Sequence, residues 1–365
     1  MSSESSLRSR LPKTPTGYVG AVLLALALLS IVVSFIQQPT RVTQVLTIGL
    51  SNGALYALIA LGYTMVYGII ELINFAHGDL FMLCSVFGAV MLETWFGQDG
   101  SSALGWALLG VTMIATMAFG AGTNMTIERL AYRRLRNAPK LAPLITAVGV
   151  SFILQNIGIL DNIFGMDWNG SAPRSRVSVL PQTSLNIGDI SIRYVNLFVV
   201  AVTVPLLILM TWIVQKTRTG RAMRSVAQDR DASALMGINV DRMISYTFGM
   251  GGALAGAAGV MFLQVNQQTR YDAGFRLGLI AFTAAVLGGV GNLLGAVIGG
   301  VLIGVIQALN DAKVLLPETL PGFFPDGIRD FTGQKWTQTV MFTILILMII
   351  FRPGGIFGSH QQEKV

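Results

Sequence analysis

The stretch Lys216-Thr-Arg-Thr-Gly-Arg-Ala-Met-Arg-Ser-Val-Ala-Gln-Asp-Arg-Asp-Ala-Ser-Ala-Leu-Met-Gly-Ile-Asn239 stands between two apolar runs, 194–214 and 243–263. It is a basic, mixed-charge island in a chain that is 53% hydrophobic and only 12% charged. A soluble globular chain carries about a quarter charged residues, so this composition excludes a water-soluble domain. Each flanking run is long enough to cross a bilayer, which takes about 20 helical residues. The island is therefore a polar element held between two membrane spans, and something polar must receive it.

Outward from the island the pattern repeats. Apolar segments run at about 17–36, 43–70, 80–95, 103–122, 141–160, 194–214, 243–263, 277–290, 294–310 and 338–351. Those at 80–95, 277–290 and 338–351 are short, so eight full spans with two partial ones fit nearly as well as ten. The pattern predicts an all-α integral membrane protein of about 8–10 transmembrane helices, in a single membrane domain over 17–358. Polar, Ser-rich residues 1–16 read as a disordered tail, and 359–365 as a second tail. The run at 17–36 is too long for a signal-peptide core and reads as a retained first span.

Orientation follows from Lys and Arg in short loops, which favour the cytoplasmic side. Arg129, Arg133, Arg134, Arg136 and Lys140 follow the fourth segment; Lys216, Arg218, Arg221, Arg224 and Arg230 follow the sixth. Ten crossings from a cytoplasmic N-terminus put both loops, and the C-terminus, inside. Loops 161–193 and 311–337 then lie outside. The net charge of +7 resides in these loops, which argues against a nucleic-acid partner. The lone Cys84 reads as a small buried hydrophobe. With His77 and His360 the only histidines, no metal site is expected.

The layout also suggests two inverted repeats with broken helices. Segment 43–70 precedes a polar break at Asn74–Asp79, and segment 243–263 precedes another at Asn266–Asp272; each break is followed by two more segments. The two sets enter from opposite sides, a common transporter arrangement. Gly291, Gly295 and Gly299, Gly252 and Gly256, and Gly300 and Gly304 recur every fourth residue, which on a helix makes a ridge for close packing. No Gly-Lys-Ser/Thr phosphate loop occurs. If transport is ATP-driven, the ATP binds to a separate subunit and this chain needs no cofactor.

Two groups of residues are candidates for function. Asn74, His77 and Asp79 cluster beside Gly78, and ionisable groups at membrane depth are rare and often functional. The preceding run would be about 40 Å as one helix, and Gly53, Gly62 and Gly68 allow a kink. Either a broken helix lines a pathway here, or this is an interfacial turn in which His77 caps a helix. Tyr56, Tyr63 and Tyr67 share a face near Asn52, as path lining or as packing. In the island, Arg221–Met236 suits a helix that ends at Gly237. Arg221, Arg224, Ala227, Asp229, Ala232, Met236 and Gly237 are the candidate contacts to a soluble partner.

A set of motifs carries a resemblance. Asn74-Phe-Ala-His-Gly-Asp79, Glu128-Arg-Leu-Ala-Tyr-Arg-Arg-Leu-Arg136, Leu141-Ala-Pro-Leu144 and Gly237-Ile-Asn-Val-Asp-Arg242 occur in this order. Ala281-Phe-Thr-Ala-Ala-Val-Leu-Gly-Gly-Val-Gly291 and Phe351-Arg-Pro-Gly-Gly-Ile-Phe-Gly358 follow. Together, over about 43–358, they resemble the LivH-type permease of branched-chain amino acid ABC importers. The resemblance implies a bacterial inner-membrane importer with a second, LivM-like permease, two ATPase subunits and a periplasmic substrate-binding protein. It implies that Ala227–Gly237 is a coupling helix. Asn52, Tyr56, Tyr63, Asn74, His77, Gly78, Asp79 and Thr283 are the candidate translocation path. Importers of urea and short-chain amides are close relatives of this family. The competing classes are an ion-coupled secondary transporter, which needs a buried carboxylate, and a membrane enzyme, for which this chain offers few catalytic groups.

Overall fold

The computed structural model describes residues 29–71, 74–95, 103–136, 138–139, 141–160, 162–163, 166–168, 174–175, 179–181, 183–314, 333–352 and 354–358. The tails at 1–16 and 359–365, most of the first segment at 17–36, parts of the 161–193 loop and most of the 311–337 loop lie outside these residues.

The described helices are α1 (29–37), α2 (Pro39–Ile70), α3 (Ala76–Val90), α4 (Ala103–Ile127), α5 (Leu141–Ile159) and α6 (Tyr194–Lys216). They continue with α7 (Arg218–Gln228), α8 (Arg230–Leu235), α9 (Val240–Asn266), α10 (Ala273–Gly288), α11 (Leu293–Asp311) and α12 (Thr337–Phe351). Among the described residues, 8 helices are long and apolar enough to cross a membrane, and the apolar α10 is shorter, at 16 residues. The chain is an all-α integral membrane protein. Its strands are short antiparallel pairs: β1 (Asn162–Ile163) with β2 (Met166–Asp167), β3 (Arg174–Ser175) with β6 (Gln268–Thr269), and β4 (Ser184–Ile187) with β5 (Ile190–Arg193).

Burial sorts the helices into an inner and an outer set. The most apolar stretches of α2 and α3 are 89% buried and that of α9 83%, against 28% for α4, α5 and α6 and 11% for α12. A helix apolar on all sides belongs inside a bundle or faces lipid; α2, α3, α9 and α10 form the inside here. In lipid no hydrophobic force draws helices together, so close packing at small residues does it. Gly300 and Gly304 of α11 meet Ala57 and Gly53 of α2, where an added Cβ would strike backbone. Gly252 and Gly256 of α9 meet Gly120 and Thr116 of α4 in the same way.

Three expectations need correction. The run at 43–70 is not broken: α2 is one helix of 32 residues, about 48 Å long. Its glycines serve close approach rather than bending. A Cβ on Gly53 would lie 2.8 Å from Val301 Cα, and one on Gly62 would collide with the His77 ring. The chain turns only at Glu71, in the left-handed region at φ 55°, whose N–H reaches Tyr67 O at 2.7 Å. Second, Gly291 is no part of a helical ridge. It lies before α11 at φ 92°, while Gly295 and Gly299 face α10 and Gly300 and Gly304 face α2. Third, the island is two helices, not one from Arg221 to Met236. Asp229 breaks it with an extended backbone, φ −156° and ψ 114°.

Candidate functional site

The two basic loops share one end of the bundle, where α4 finishes and α7 and α8 lie. At the opposite end a cavity of about 890 Å³ opens between α2, α9, α10 and α11. Asn52 and Tyr56 of α2 line it, with Arg276 and Leu277 of α10 and Gln307 and Asp311 of α11. The Tyr56 hydroxyl donates to Gln307 Oε1 at 2.6 Å. Ile59, Phe81 and Ile280 add apolar surface. One turn further along α2, buried Tyr63 meets buried His77 edge to face, ring centroids 4.8 Å apart at 67°. Among the described residues, neither ring nitrogen of His77 has a hydrogen-bond partner.

The Asn74–Asp79 cluster does not converge on one site. Asn74 Oδ1 turns towards the end of α4 and accepts from the Tyr132 hydroxyl at 2.8 Å and from Ala76 N at 3.1 Å. His77 faces α2. Asp79 faces α5, accepting from Ser151 Oγ and, at 3.1 Å, from Gln155 Nε2. His77 caps no helix, because it sits within α3 rather than before it. Gly78 is where α3 crosses α10, its backbone against Gly274 and Gly278. Thr283 is buried on α10, bonds Leu279 O at 2.9 Å, and does not line the cavity.

At the basic end, local hydrogen bonds shape the island. Thr217 caps α7 by accepting from Gly220 N at 3.1 Å, and Asp229 caps α8 by accepting from Ala232 N at 2.9 Å. Side-chain caps of this kind satisfy the free N–H groups of a helix start. Gly237, at φ 81°, ends α8: Ile238 N bonds Ser233 O and Gly237 N bonds Ala234 O, each at 3.0 Å, the pattern that favours glycine at a helix C-terminus. Arg221, Arg224, Ala227, Asp229, Ala232, Met236 and Gly237 are all exposed, and Leu235 and Met236 reach 89% and 84%. Arg230 instead turns inward and donates to Ile69 O at 3.0 Å, joining α8 to the last turn of α2.

Beside this joint lies a charge cluster. Glu128, fully buried, pairs with Arg136 and accepts from Ser245 Oγ; Arg136 also pairs with Asp241 at the start of α9. Arg133 lies 3.6 Å from Glu128 Oε1 and 3.9 Å from Asp241 Oδ2, and donates to Ser245 Oγ at 3.1 Å. The cluster clamps the end of α4 to the start of α9.

Residues 45–350 match the family described as branched-chain amino acid transport system / permease component. The chain belongs to this family. It is 38% identical over 330 residues to the high-affinity branched-chain amino acid transport system permease protein BraD of Pseudomonas aeruginosa, covering 88% of this chain and 97% of that protein. It is 35% identical over 331 residues to LivH of Escherichia coli, 87% and 96% of the two chains. It is also 25% identical over 315 residues to the autoinducer 2 import system permease protein LsrC of Yersinia pestis, 85% and 80% of the two chains. No solved structure matches it significantly.

In this permease-family chain, then, Asn52 and Tyr56 share the cavity, while Tyr63 and His77 lie together beneath it. Asn74, Asp79 and Thr283 point elsewhere. Sequence reading passed over Glu128, Asp241 and Ser245 because it used the 129–136 arginines only to count charge. One signal was available: Glu128 is an acid at the end of an apolar span with five basic residues after it up to residue 140. Gln307 and Asp311 were missed because they come from a helix distant in sequence from α2.

Proposed function

We propose that this chain is the permease subunit of an ATP-driven importer for branched-chain or other neutral amino acids. It sits in a bacterial inner membrane with the basic-loop end and both termini cytoplasmic. A second, LivM-like permease, two ATPase subunits and a periplasmic binding protein complete the system, and ATP is bound and hydrolysed on the separate subunits. The observation that carries the reading is mechanical. One continuous helix, α2, carries Tyr56 at the cavity and Ile69 at the joint with α8, about 20 Å apart along its axis. A push on exposed Leu235 and Met236 passes through Arg230 to α2 and from there to the cavity wall. Such rigid-body tilting is one recognised form of alternating access.

The packing also supports the inverted-repeat reading. Exchanging α2 with α9, α3 with α10, α4 with α11 and α5 with α12 turns the packed pair α2–α11 into α9–α4. It turns α2–α10 into α9–α3, and α3–α5 into α10–α12, and all of these pairs are in contact.

Purifying the chain with its neighbours tests the proposal. A stable complex with an ATPase, and amino acid uptake into proteoliposomes only with ATP, is the expected result. Repeated purification without an ATPase would sink it. One observation favours a second reading, an ion-coupled carrier: Asp79 is a buried carboxylate, 2% exposed. Uptake driven by a proton or sodium gradient without ATP would establish that reading instead.

A further inference from the structure

We propose that the cavity at the end opposite the basic loops binds an α-amino acid zwitterion, with Arg276 taking its carboxylate and Asp311 its ammonium group. The inference rests on the import reading and assigns that reading its ligand contacts. The volume, about 890 Å³, is within the range of small-molecule sites. Its wall carries three cations, Arg193, Arg276 and Lys335, and one carboxylate, Asp311; of the cations, Arg276 is the one on a helix that also supplies apolar lining, Leu277 and Ile280. Arg276 is in the first turn of α10, whose N-terminus has no side-chain cap from Asp272. A guanidinium in the first turn of a helix, where the dipole is positive, attracts a carboxylate. Asp311 is the last residue of α11, where the helix dipole is negative and a cation is favoured.

Arg276 and Asp311 line the same cavity as Tyr56, whose hydroxyl is held by Gln307, one helical turn before Asp311 on the same face of α11. Asp311 uses Oδ1 for Thr337 Oγ1 and Asn310 Nδ2, so Oδ2 remains an acceptor among the described residues. Leu277 and Ile280, on the Arg276 helix, offer apolar surface to an aliphatic side chain. Urea or a short-chain amide has no carboxylate for Arg276 and no ammonium for Asp311, so this charge pair favours the amino acid.

The test uses the full importer, with its ATPases and binding protein, in proteoliposomes supplied with radiolabelled leucine. The chain's one cysteine, Cys84, is buried, so a new cavity cysteine can be labelled selectively. Arg276→Cys is expected to lower subsaturating leucine uptake about tenfold or more, the scale of one charge-assisted contact. An aminoethyl methanethiosulfonate should restore most of the loss, and the sulfonatoethyl reagent should not. Asp311→Asn, which keeps an acceptor for Thr337, should cost a similar factor, and Arg276→Lys should keep most uptake. Uptake by Arg276→Cys within twofold of the parent, equal rescue by both reagents, or an Arg276→Lys as poor as Arg276→Cys overturns the assignment. A parent importer that moves no neutral amino acid overturns the import reading itself. Leucine transport by the parent with unchanged variants overturns only the assignment.

Discussion

Glu128→Gln is the sharpest test of the clamp between α4 and α9. Glu128 is fully buried and faces Arg136, whose side chain is 13% exposed, and Arg133, at 37%. Glutamine keeps the shape and an acceptor for Ser245 but removes the charge. Breaking a buried ion pair by removing one partner costs about 3–5 kcal/mol. Here Arg136 keeps Asp241 as a partner, itself 55% exposed, so the loss falls to about 2 kcal/mol. If the clamp holds the basic-loop end shut, that loss shifts the balance towards the open form by about 30-fold. The assay is the labelling rate of Ile244→Cys, a position 1% exposed that lines the small recess beside Glu128, Tyr132 and Arg136. A membrane-impermeant thiol reagent supplied to the basic-loop end should label Glu128→Gln/Ile244→Cys about 30-fold faster than Ile244→Cys alone. A rate within twofold of the single variant would refute the reasoning, because the charges would then hold nothing shut.

Met236→Asp should abolish co-purification with the ATPase while leaving the yield and thermal stability of this chain unchanged, because Met236 is 84% exposed; retained ATPase would remove α8 from the docking face. Gly304→Leu should prevent accumulation of folded chain, since a side chain there strikes the backbone of Gly53 and overpacking of even modest size costs about 1–3 kcal/mol. Gly122→Leu, where an added Cβ meets nothing within 4 Å, is the matched control, and size-exclusion profiles in detergent compare the two. Gly237→Val should destabilise the end of α8 by about 1–2 kcal/mol, the cost of a left-handed backbone for an L residue, read as faster proteolysis between α8 and α9.

The fold was legible to the extent that bilayer physics alone dictates it. Beyond the first segment, which lies mostly outside the described residues, length and hydropathy locate the spans to within about five residues, except that the fourth runs on to Leu135, because a helix in lipid must satisfy every backbone group internally. Which spans lie inside was less legible. Apolar residues face lipid and neighbouring helices alike, so α2 and α12 look equally greasy, yet their apolar stretches are 89% and 11% buried. The glycines carried the missing signal. On α2, Gly49 and Gly53 lie where a Cβ would come within 3 Å of Val305 or Val301 Cα. On the outer helices α4 and α5, Gly110, Gly122 and Gly149 meet nothing within 4 Å. A glycine count cannot tell these apart.

The exposed island was legible because its shaping signals are local, and the cavity was obscure because it is assembled from distant helices. Residues 217–239 carry their own caps, Thr217, Asp229 and Asn239, and their own stop at Gly237. Their exposed face could therefore be read from one stretch of sequence, except that Asp229, taken for a contact, also divides the helix. The cavity has no such stretch. Tyr56 and Gln307 are 251 residues apart and meet at 2.6 Å only because Gly300 and Gly304 let α11 lie against α2. The polar cluster around His77 divides for the opposite reason. The sequence neighbours of this histidine, Asn74 and Asp79, are polar, but helical geometry turns the three side chains towards α4, α2 and α5. Such spacing identifies polar groups that must find partners at depth. The partners come from helix packing, so Tyr56 and Gln307 meet in the cavity wall by virtue of glycines that do not line it.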